Sequence, residues 1–298
     1  MSNVVEYSKI IDEILSKLPL VADSHAVHSD WYQSTKEIVE KEIKRLFSDA
    51  TVNAKKVGNF GNLNFPYQKM GAIDSVKIFN LDELIIFSFY WANRHLYKNV
   101  ADIGANIGLH SIMLNKCGFQ IQAYEPDVNH YKILQRNLQL NHCESVKPFN
   151  MAVSSQRGEI EFVRVLGNTT ASHVAGAKPN PYGELEKYTV QTEAFKSIIS
   201  WADLLKIDIE GHEKEILLTT DHNDWLSTDA LVEVDNFDNA MEIYKYFTNI
   251  GVNLFAQKIN WQLVKNSNDM PTSYKEGTLF ISCKDKMPWN DTKHSSQS

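Results

Sequence analysis

Hydrophobic positions in the first fifty residues recur with the period of a helix. Within residues 3–18 the apolar side chains return every three or four positions, which predicts an amphipathic helix that Pro19 ends. Ser34 and Glu37 stand three residues apart at the start of a second periodic stretch, an arrangement typical of a capping box. The pattern therefore predicts one helix over 3–18 and another from Ser34 to about Phe47.

Residues 51–74 interrupt this period with glycines, asparagines and a Pro-Tyr pair, which indicates a turn-rich hairpin or loop. An aromatic-rich helix is then predicted from an N-cap at Asn80, with Glu83 three residues on, to about Asn93. We interpret residues 1–79 as an extension of helices and a hairpin or loop that caps the substrate side of a larger domain.

From residue 99 onward, short apolar runs alternate with helical patterns. Strands are predicted at 99–103, 120–125, 146–149, 203–208, 230–235, 252–256 and 277–283, and helices at 107–116, 128–140, 212–219 and 239–249. Such alternation predicts an α/β fold with a doubly wound, mostly parallel sheet and helices on both faces. We expect this domain to span residues 80–285, followed by a polar, disordered tail at 286–298.

Ligands of doubly wound sheets bind beyond the carboxyl ends of the strands, where the strand order reverses. The segments that follow the predicted strands are therefore expected to meet in one crevice. These segments are 102–108, 125–127, 150–152, 208–212 and 235–236.

Composition and charge narrow the class of protein. The chain has 43% hydrophobic and 22% charged residues, which is ordinary for a globular protein, and its net charge of −7 gives no sign of a nucleic-acid partner. Its three cysteines, Cys117, Cys143 and Cys283, lie far apart and are typical of thiols in a reducing compartment. Neither a signal peptide nor an apolar run long enough for a bilayer is present. We therefore expect a cytoplasmic protein without a membrane partner.

The most informative motif is the glycine turn that follows the first predicted strand. Glycines let backbone amides approach a ligand closely, but the three glycine positions of the dinucleotide fingerprint hold Gly104, Asn106 and Leu109 here. Asp102 at the strand end would repel a pyrophosphate. S-Adenosylmethionine has no phosphate, and Asp102 and Glu125 are spaced to favour its cationic end and its ribose diol. This turn predicts an S-adenosylmethionine site and argues against NAD.

A second motif, Lys206-Ile-Asp-Ile-Glu-Gly-His-Glu, ends the fourth predicted strand and opens a helix. Asp208, Glu210 and His212 are expected to reach a substrate in the crevice. Two clustered acids cost repulsion that a scaffold alone does not need, so we assign a chemical role to Asp208 and Glu210. Glu213 is expected to favour the helix N-terminus through its dipole, and His212 is either a general base or a helix cap.

Four blocks together resemble the FkbM-type methyltransferases over about residues 98–250. The blocks are Val100-Ala-Asp-Ile-Gly-Ala-Asn-Ile-Gly, Tyr124-Glu-Pro-Asp, Met151-Ala-Val-Ser and the Lys206 motif. The resemblance implies the Rossmann-like class I methyltransferase fold, a seven-stranded sheet with an antiparallel last strand. It also implies S-adenosylmethionine as the cofactor, S-adenosylhomocysteine as its product, and O-methylation of a sugar or small natural-product-like acceptor.

The same resemblance assigns site residues by position. Residues around the amino-acid end of the cofactor would be Asp102, Gly104, Ala105, Asn106 and Gly108; those around its ribose and adenine would be Glu125, Pro126, Asp127, Asn150, Met151 and Ala152. Asp208 and Glu210 would face the transferring methyl group. Where the family commonly has Glu-x-His after its fifth strand, this chain has Glu233-Val234-Asp235, so a candidate base is absent from its usual place.

Methyl transfer needs the acceptor oxygen aligned and its proton removed. The candidate bases are Asp208 or Glu210, then His212, then His173. Asp208, Glu210 and Asp235 could instead hold a divalent cation that acidifies the hydroxyl, but they show no recognised metal-ligand spacing, and we do not favour a metal.

Residues 164–191 are too long and polar for a simple connection, which is typical of a lid or binding element. Together with residues 57–67 this loop is expected to contact a small-molecule or carbohydrate acceptor. The proposed substrate contacts are Asn168, Thr169, Ser172, His173, Tyr182 and Asp235.

Other functions remain open from the sequence. A cofactor-binding protein without turnover could use the same fold. An N-methyltransferase is less favoured, because the Asp-Pro-Pro-Tyr type of motif is missing. The acceptor and the oligomeric state are not determined by the sequence.

Overall fold

A computed structural model describes residues 5–49, 53–178 and 183–290. Its helices are α1 (Lys9–Lys17), α2 (Asp30–Phe47), α3 (Leu81–Ala92), α4 (Leu109–Lys116), α5 (Val128–Leu140), α6 (Phe195–Ile199), α7 (Glu213–Leu217) and α8 (Phe237–Ile250). Its strands are β1 (Glu6–Tyr7), β2 (Lys55–Lys56), β3 (Asn62–Leu63), β4 (Lys69–Met70), β5 (Ile73–Asp74), β6 (Asn99–Ile103), β7 (Gln120–Tyr124), β8 (Val146–Phe149), β9 (Ala152–Ser154), β10 (Gly158–Val165), β11 (His173–Val174), β12 (Leu185–Ala194), β13 (Leu204–Ile207), β14 (Asp229–Val232), β15 (Asn253–Ala256), β16 (Gln262–Leu263) and β17 (Leu279–Ser282).

The central sheet has the order β16-β15-β17-β14-β13-β6-β7-β8. Strands β14, β13, β6, β7 and β8 are parallel neighbours, and β17 runs antiparallel to both β14 and β15. The α/β fold and the antiparallel last strand are therefore confirmed. The two-residue strand β16 adds an eighth strand at the edge, antiparallel to β15.

Alternate positions of the sheet strands enter two separate cores, as the pleat requires. Val100 and Leu204 pack with α3, α4, α5 and the N-terminal extension, whereas Ala101 and Leu205 pack with α6, α7 and α8. Asp102 and Lys206 lie opposite each other on neighbouring strands and share the face of Val100. The sheet is therefore covered by helices on both faces, with charged residues buried within one of them.

The extension belongs to one of these cores, because Ile11, Val39 and Phe60 pack in the same cluster as Val100. It also contacts the carboxyl-terminal part of the domain through His25. The indole Nε1 of Trp261 donates to Nδ1 of His25 at 3.0 Å, and Nε2 of His25 lies 3.1 Å from the carbonyl oxygen of Leu18. Since Nδ1 accepts, Nε2 carries the proton, and burial lowers the pKa of His25 to about 4.

Two predicted helix starts in the extension are wrong. Helix α1 begins at Lys9, not at residue 3, and α2 begins at Asp30, one residue after its N-cap Ser29. The hydroxyl of Ser34 donates to the carbonyl of Asp30 inside α2, so the predicted capping box does not form. The helix predicted from Asn80 is confirmed, because the side chain of Asn80 accepts from the first amides of α3.

The segment predicted as a long loop at 164–191 connects strands of a second sheet, of order β11-β10-β12-β9, and its two ends belong to β10 and β12. Strands β10 and β12 pair over eight residues, from Gly158 with Thr192 to Val165 with Leu185. Strand β12 was missed from the sequence because its solvent-facing positions are polar, and only Val190 and Thr192 in that strand are buried. Pairing with β10, not local composition, makes residues 185–191 extended.

The chain remains packed beyond the predicted start of the tail at residue 286. Met287 and Trp289 are both 1% exposed, and Trp289 stacks edge-on against Phe89. Residues 291–298 lie outside the described part of the chain. No helix in the described ranges is both long and apolar enough to cross a bilayer.

Candidate active site

A cleft of about 1100 Å³ opens at the carboxyl ends of the parallel strands. Three parts of the chain form it: the segments after the strands, the extension, and the turn between β10 and β11. The residues that follow strands are Gly104, Asn106, Glu125, Pro126, Asp127, Met151, Ala152, Asp208, Glu210, Glu233 and Asp235. The extension contributes one face of α2, with Tyr32, Gln33, Lys36, Glu40 and Lys44.

The turn after β6 is built for close approach. Gly104 has φ +81, and Asn106 has φ 50, a left-handed conformation that asparagine tolerates better than most residues. The backbone N–H of Asn106 donates to Glu125 at 2.8 Å, which ties this turn to the end of β7. The side-chain Oδ1 of Asn106 is buried and has no hydrogen-bond partner among the described residues. An unpaired acceptor in the cleft wall is suited to a donor on a bound molecule.

Glu125 sits at the cleft with its two carboxylate oxygens held by separate backbone amides. Oε2 accepts from Asn106 and Oε1 accepts from the N–H of Asp127 at 2.7 Å. Each oxygen keeps a lone pair for a further donor. Burial raises the pKa of Glu125 to about 8, although these two hydrogen bonds oppose the shift. The position and the spare acceptor capacity suit a ribose diol.

Asp127 combines a place on the cleft with a structural role. Its Oδ1 caps α5 by accepting from the amides of Asn129 and His130, and its Oδ2 lies 3.1 Å from Nε of Arg164 on β10. Met151 and Ala152, assigned to the adenine pocket by the resemblance, also line the cleft.

Four predicted cofactor residues do not line the cleft, and each has a scaffold role. Asp102 is fully buried and accepts from the hydroxyl of Ser111 at 2.6 Å. The side-chain amide of Asn150 donates to the carbonyls of Glu125 and Pro126. Ala105 is buried, and Gly108 has φ +91 against Leu134 at the start of α4. The direct contacts predicted for these four residues are not supported by their positions.

Three of the carboxylates that follow β13 and β14, those of Asp208, Glu210 and Asp235, are paired with lysines. Asp208 Oδ2 lies 3.3 Å from Nζ of the buried Lys206, which also lies 3.4 Å from the carbonyl oxygen of Gly104. Lys178 forms ion pairs with both Glu210 and Asp235, the latter at 3.1 Å. Burial and the neighbouring Asp208 raise the pKa of Glu210 to about 8, against the opposing effect of Lys178.

His212, predicted as a base or a helix cap, occupies the N-cap position of α7, but its side chain performs neither role. It is buried away from the cleft, where its Nε2 lies 3.2 Å from the hydroxyl of Ser154. Its side chain makes no capping hydrogen bond with α7. Glu213 instead receives the amides of Ile209 and Gly211 on one oxygen, so it holds the turn together. The assignment of His212 as the base is wrong for this arrangement.

On the acceptor side, Asn168, Thr169 and Ser172 line the cleft as predicted. Thr169 Oγ1 lies 2.8 Å from Nε2 of His130. His173 is 2% exposed and does not line the cleft, because its ring packs back onto the carbonyl of Ala171. Tyr182 lies outside the described residues.

Several cleft residues were missed from the sequence. Lys178 lies in the segment that was predicted to be a lid, and nothing in its local sequence marks it. Lys206 was quoted only as part of a motif; it does not line the cleft itself, but it pairs with Asp208, which does. Glu233 follows β14 and lines the cleft, so the rule about strand ends would have identified it had the predicted strand stopped at Val232.

No group of three or more histidine, cysteine, aspartate or glutamate side chains is arranged to hold a metal ion in the parts of the chain that the structure describes. Of the three carboxylates considered for a divalent cation, Glu210 and Asp235 face the ammonium of Lys178.

The fold and the cleft together define an α/β protein with a site for a nucleoside-type cofactor at the carboxyl edge of its sheet. Residues 102–255 match the methyltransferase FkbM domain, which is more than half of the chain. The chain therefore belongs to the FkbM methyltransferase family.

Individual relatives are more distant. Methyltransferase sdnD of Sordaria araneosa is 31% identical over 159 residues, which cover 42% of this chain and 61% of that protein. The chain thus spans less than two thirds of the length of that relative. Among solved structures, the precorrin-6y C5,15-methyltransferase of Geobacter metallireducens GS-15 is 11% identical with a TM-score of 0.38, covering 66% of this chain and 85% of that chain. The O-methyltransferase of Bacillus cereus in complex with SAH is 11% identical with a TM-score of 0.35, covering 65% and 78%.

Proposed function

We propose that the protein transfers a methyl group from S-adenosylmethionine to a hydroxyl group of a sugar or a small natural-product-like acceptor. The observation that carries this proposal is the continuity of the cleft. The same cleft is lined by the glycine turn and Glu125, by the carboxylates that follow β13 and β14, and by polar residues of the second sheet and of α2.

The residues of the glycine turn, together with Glu125, fit the cofactor. Asn106 offers a buried acceptor without a partner, and Glu125 offers two oxygens with spare lone pairs. Asp208 adds negative charge beside the turn, which favours a cationic ligand. When bound, S-adenosylmethionine supplies a methyl group already activated on a sulfonium, so the protein mainly has to orient the acceptor and take up its proton.

The part of the cleft that α2 and the turn between β10 and β11 line suits an acceptor with many hydroxyl groups. Hydrogen-bonding side chains line it from two sides, including Gln33 on α2 and Asn168, Thr170 and Ser172 near β11. The ring of Tyr274 is 57% exposed at the same cleft and offers an apolar face to a sugar. A volume of about 1100 Å³ leaves room for such an acceptor beside the cofactor.

A titration with S-adenosylmethionine, S-adenosylhomocysteine and NAD tests the cofactor, read by calorimetry and thermal shift. Each adenosyl compound at a hundredfold over its dissociation constant is expected to stabilise the protein by about 2.7 kcal/mol, with NAD inert. Glu125→Ala is expected to abolish this effect, whereas Glu144→Ala on the exposed surface retains it. No binding of either adenosyl compound would overturn the proposal.

A screen with isotope-labelled methyl donor then tests the acceptor, using sugars, hydroxylated metabolites and a matched set of amines. Label on hydroxyl compounds supports O-methylation. Label on amines alone supports the N-methyltransferase alternative. Cofactor binding without turnover on any compound supports a binding protein that does not catalyse transfer.

A further inference from the structure

Glu233 differs from the other carboxylates that follow β13 and β14, because its side chain has no partner in the part of the chain that the structure describes. Asp208 faces Lys206, whereas Glu210 and Asp235 face Lys178. Glu213 is occupied by the backbone amides of its own turn. Among the described residues, none forms a hydrogen bond or an ion pair with the side chain of Glu233.

Glu233 also lines a second, smaller cavity of about 40 Å³, which shares Asp82, Glu83 and Tyr274 with the cleft. This volume exceeds the roughly 10–15 Å³ that one water molecule needs, and the lining offers it polar partners. The titratable and charged groups on this cavity are Asp82 and Glu83 from α3, His110 from α4, Lys206 from β13, Tyr274 from the segment before β17, and Glu233 itself. Asp208 and Glu210 face Glu233 from the cleft side.

The side cavity is lined by Glu83 and His110, a pair that can pass a proton between its members. Oε2 of Glu83 lies 2.5 Å from Nε2 of His110, and Nδ1 of the same ring lies 2.9 Å from the hydroxyl of Tyr90. The side chains of Glu83 and His110 are 22% and 12% exposed, and Glu83 also lines the main cleft. A proton that leaves Glu233 therefore has polar groups beside it in the side cavity that can accept it.

We propose that Glu233 is protonated in the resting protein, that the positive charge of bound S-adenosylmethionine drives this proton out through the side cavity, and that the resulting carboxylate is the base for the acceptor. The proposal rests on the proposed function. It makes the base available only after the methyl donor is in place.

The electrostatic surroundings support this order of events. Burial, together with Asp208, Glu83 and Glu210, raises the pKa of Glu233 well above its ordinary value, and Lys206 offsets only part of the effect. A sulfonium bound in the cleft adds a positive charge near Glu233, which favours the ionised form of its carboxyl group. In the transfer step the acceptor oxygen bonds to the methyl carbon while the carbon–sulfur bond breaks. The bonding electron pair stays on sulfur, and the acceptor proton moves to Glu233.

Calorimetric titration of the full-length protein with S-adenosylmethionine, repeated in buffers of different ionisation enthalpy at neutral pH, measures the protons released. S-Adenosylhomocysteine lacks the sulfonium and is the matched control ligand. We expect about one proton per S-adenosylmethionine bound and clearly fewer for S-adenosylhomocysteine. Glu233→Gln is expected to bind both compounds and to lose this difference, whereas Glu144→Gln keeps it.

A measurement on the unmodified protein covers the case in which Glu233→Gln does not fold. The ratio of the affinities for S-adenosylmethionine and S-adenosylhomocysteine is expected to rise with pH, by up to about tenfold per pH unit, until Glu233 is ionised in the free protein. With an acceptor from the screen, Glu233→Gln is expected to lower kcat by about 10²–10⁴-fold and to weaken the binding of S-adenosylmethionine more than that of S-adenosylhomocysteine, with partial rescue of kcat by formate for Glu233→Ala.

The possible outcomes separate the two proposals. Failure of both adenosyl compounds to bind overturns the proposed function. Binding with equal proton release for the two compounds, or a difference that Glu210→Gln removes and Glu233→Gln leaves intact, overturns the role of Glu233 alone.

Discussion

The carbonyl oxygen of Asp208 lies 1.7 Å from the point where a Cβ atom on Gly104 would stand. This contact brings the residues that follow β6 and β13 together in the wall of the cleft. Glycine is required there on two grounds, because the backbone of Gly104 is also left-handed, at φ +81. The closeness of these two backbones fixes the position of Asp208 relative to the turn that holds Asn106.

Substitution of Gly104 by alanine is therefore expected to be far more harmful than the same change at Gly118. Gly118 has φ +90, but no atom lies within 4 Å of the point where its Cβ would stand, so Gly118→Ala reports backbone strain alone, about 1–2 kcal/mol. Gly104→Ala adds a steric clash with backbone that must move. Urea unfolding of both variants measures the difference, and equal losses of stability would contradict the contact described here.

Lys178 is expected to stabilise the cleft because it neutralises two carboxylates at once. Lys178→Met leaves Glu210 and Asp235 facing each other without a cation, which raises the pKa of Glu210 further above 8. The loss of stability is expected to be larger at about pH 9 than at about pH 6, where Glu210 is protonated in either protein.

The surface pair of Lys214 and Glu242, 3.1 Å apart, provides the control for this variant. Lys214→Met is expected to cost less than about 1 kcal/mol at either pH, since exposed ion pairs contribute little. Unfolding free energies of Lys178→Met that do not depend on pH would show that the ion pairs are not the source of its effect.

Buried glutamates are expected to make the protein less stable as the pH rises. Burial raises the pKa of Glu213 to about 7 and that of Glu125 to about 8, from an ordinary value of 4.5. A carboxyl whose pKa is raised by folding contributes stability that is complete below its unfolded pKa and is lost as the pH passes through the folded value. The melting temperature should therefore fall between about pH 5 and pH 8, and Glu213→Gln should have a shallower slope. An unchanged slope would mean that Glu213 is ionised in the folded state throughout this range.

His25 is expected to impose the opposite trend at low pH. Its pKa falls from 6.5 to about 4 on burial, so it contributes stability that is present above pH 6.5 and is lost as the pH falls toward 4. His25→Gln keeps one acceptor for Trp261 and one donor for Leu18, so the variant should lose less stability between these two pH values. Chemical denaturation across this range, with exposed His95→Gln as the control, measures the difference; identical pH profiles for His25→Gln and the parent protein would contradict it.

The sequence by itself determined the elements of the central sheet and the identity of the cofactor turn. Seven strands of the central sheet and four of its helices were predictable because each is a local pattern with a fixed period, ended by a glycine, an acid or a cap, whereas the second sheet, α6 and β16 were not predicted. Gly104, Asn106 and Glu125 were identified as site residues because they follow strands whose ends must meet. The start of α2 was not predicted correctly, because Ser29 and Ser34 are both suitable caps and the packing of the helix selects between them.

Only the tertiary structure decided what each charged group near the cleft does. Asp102 and His212 belong to motifs that also supply cleft residues, but their side chains point into the two faces of the sheet, where burial gives them structural partners. Lys178 carries no local signal, and Glu233 was noted only within Glu233-Val234-Asp235, because the significance of both depends on which charged groups the fold brings near them. The physical reason is that hydrophobic periodicity is a property of neighbouring residues in the chain, whereas a pKa or an ion pair depends on distance and burial between residues far apart in it.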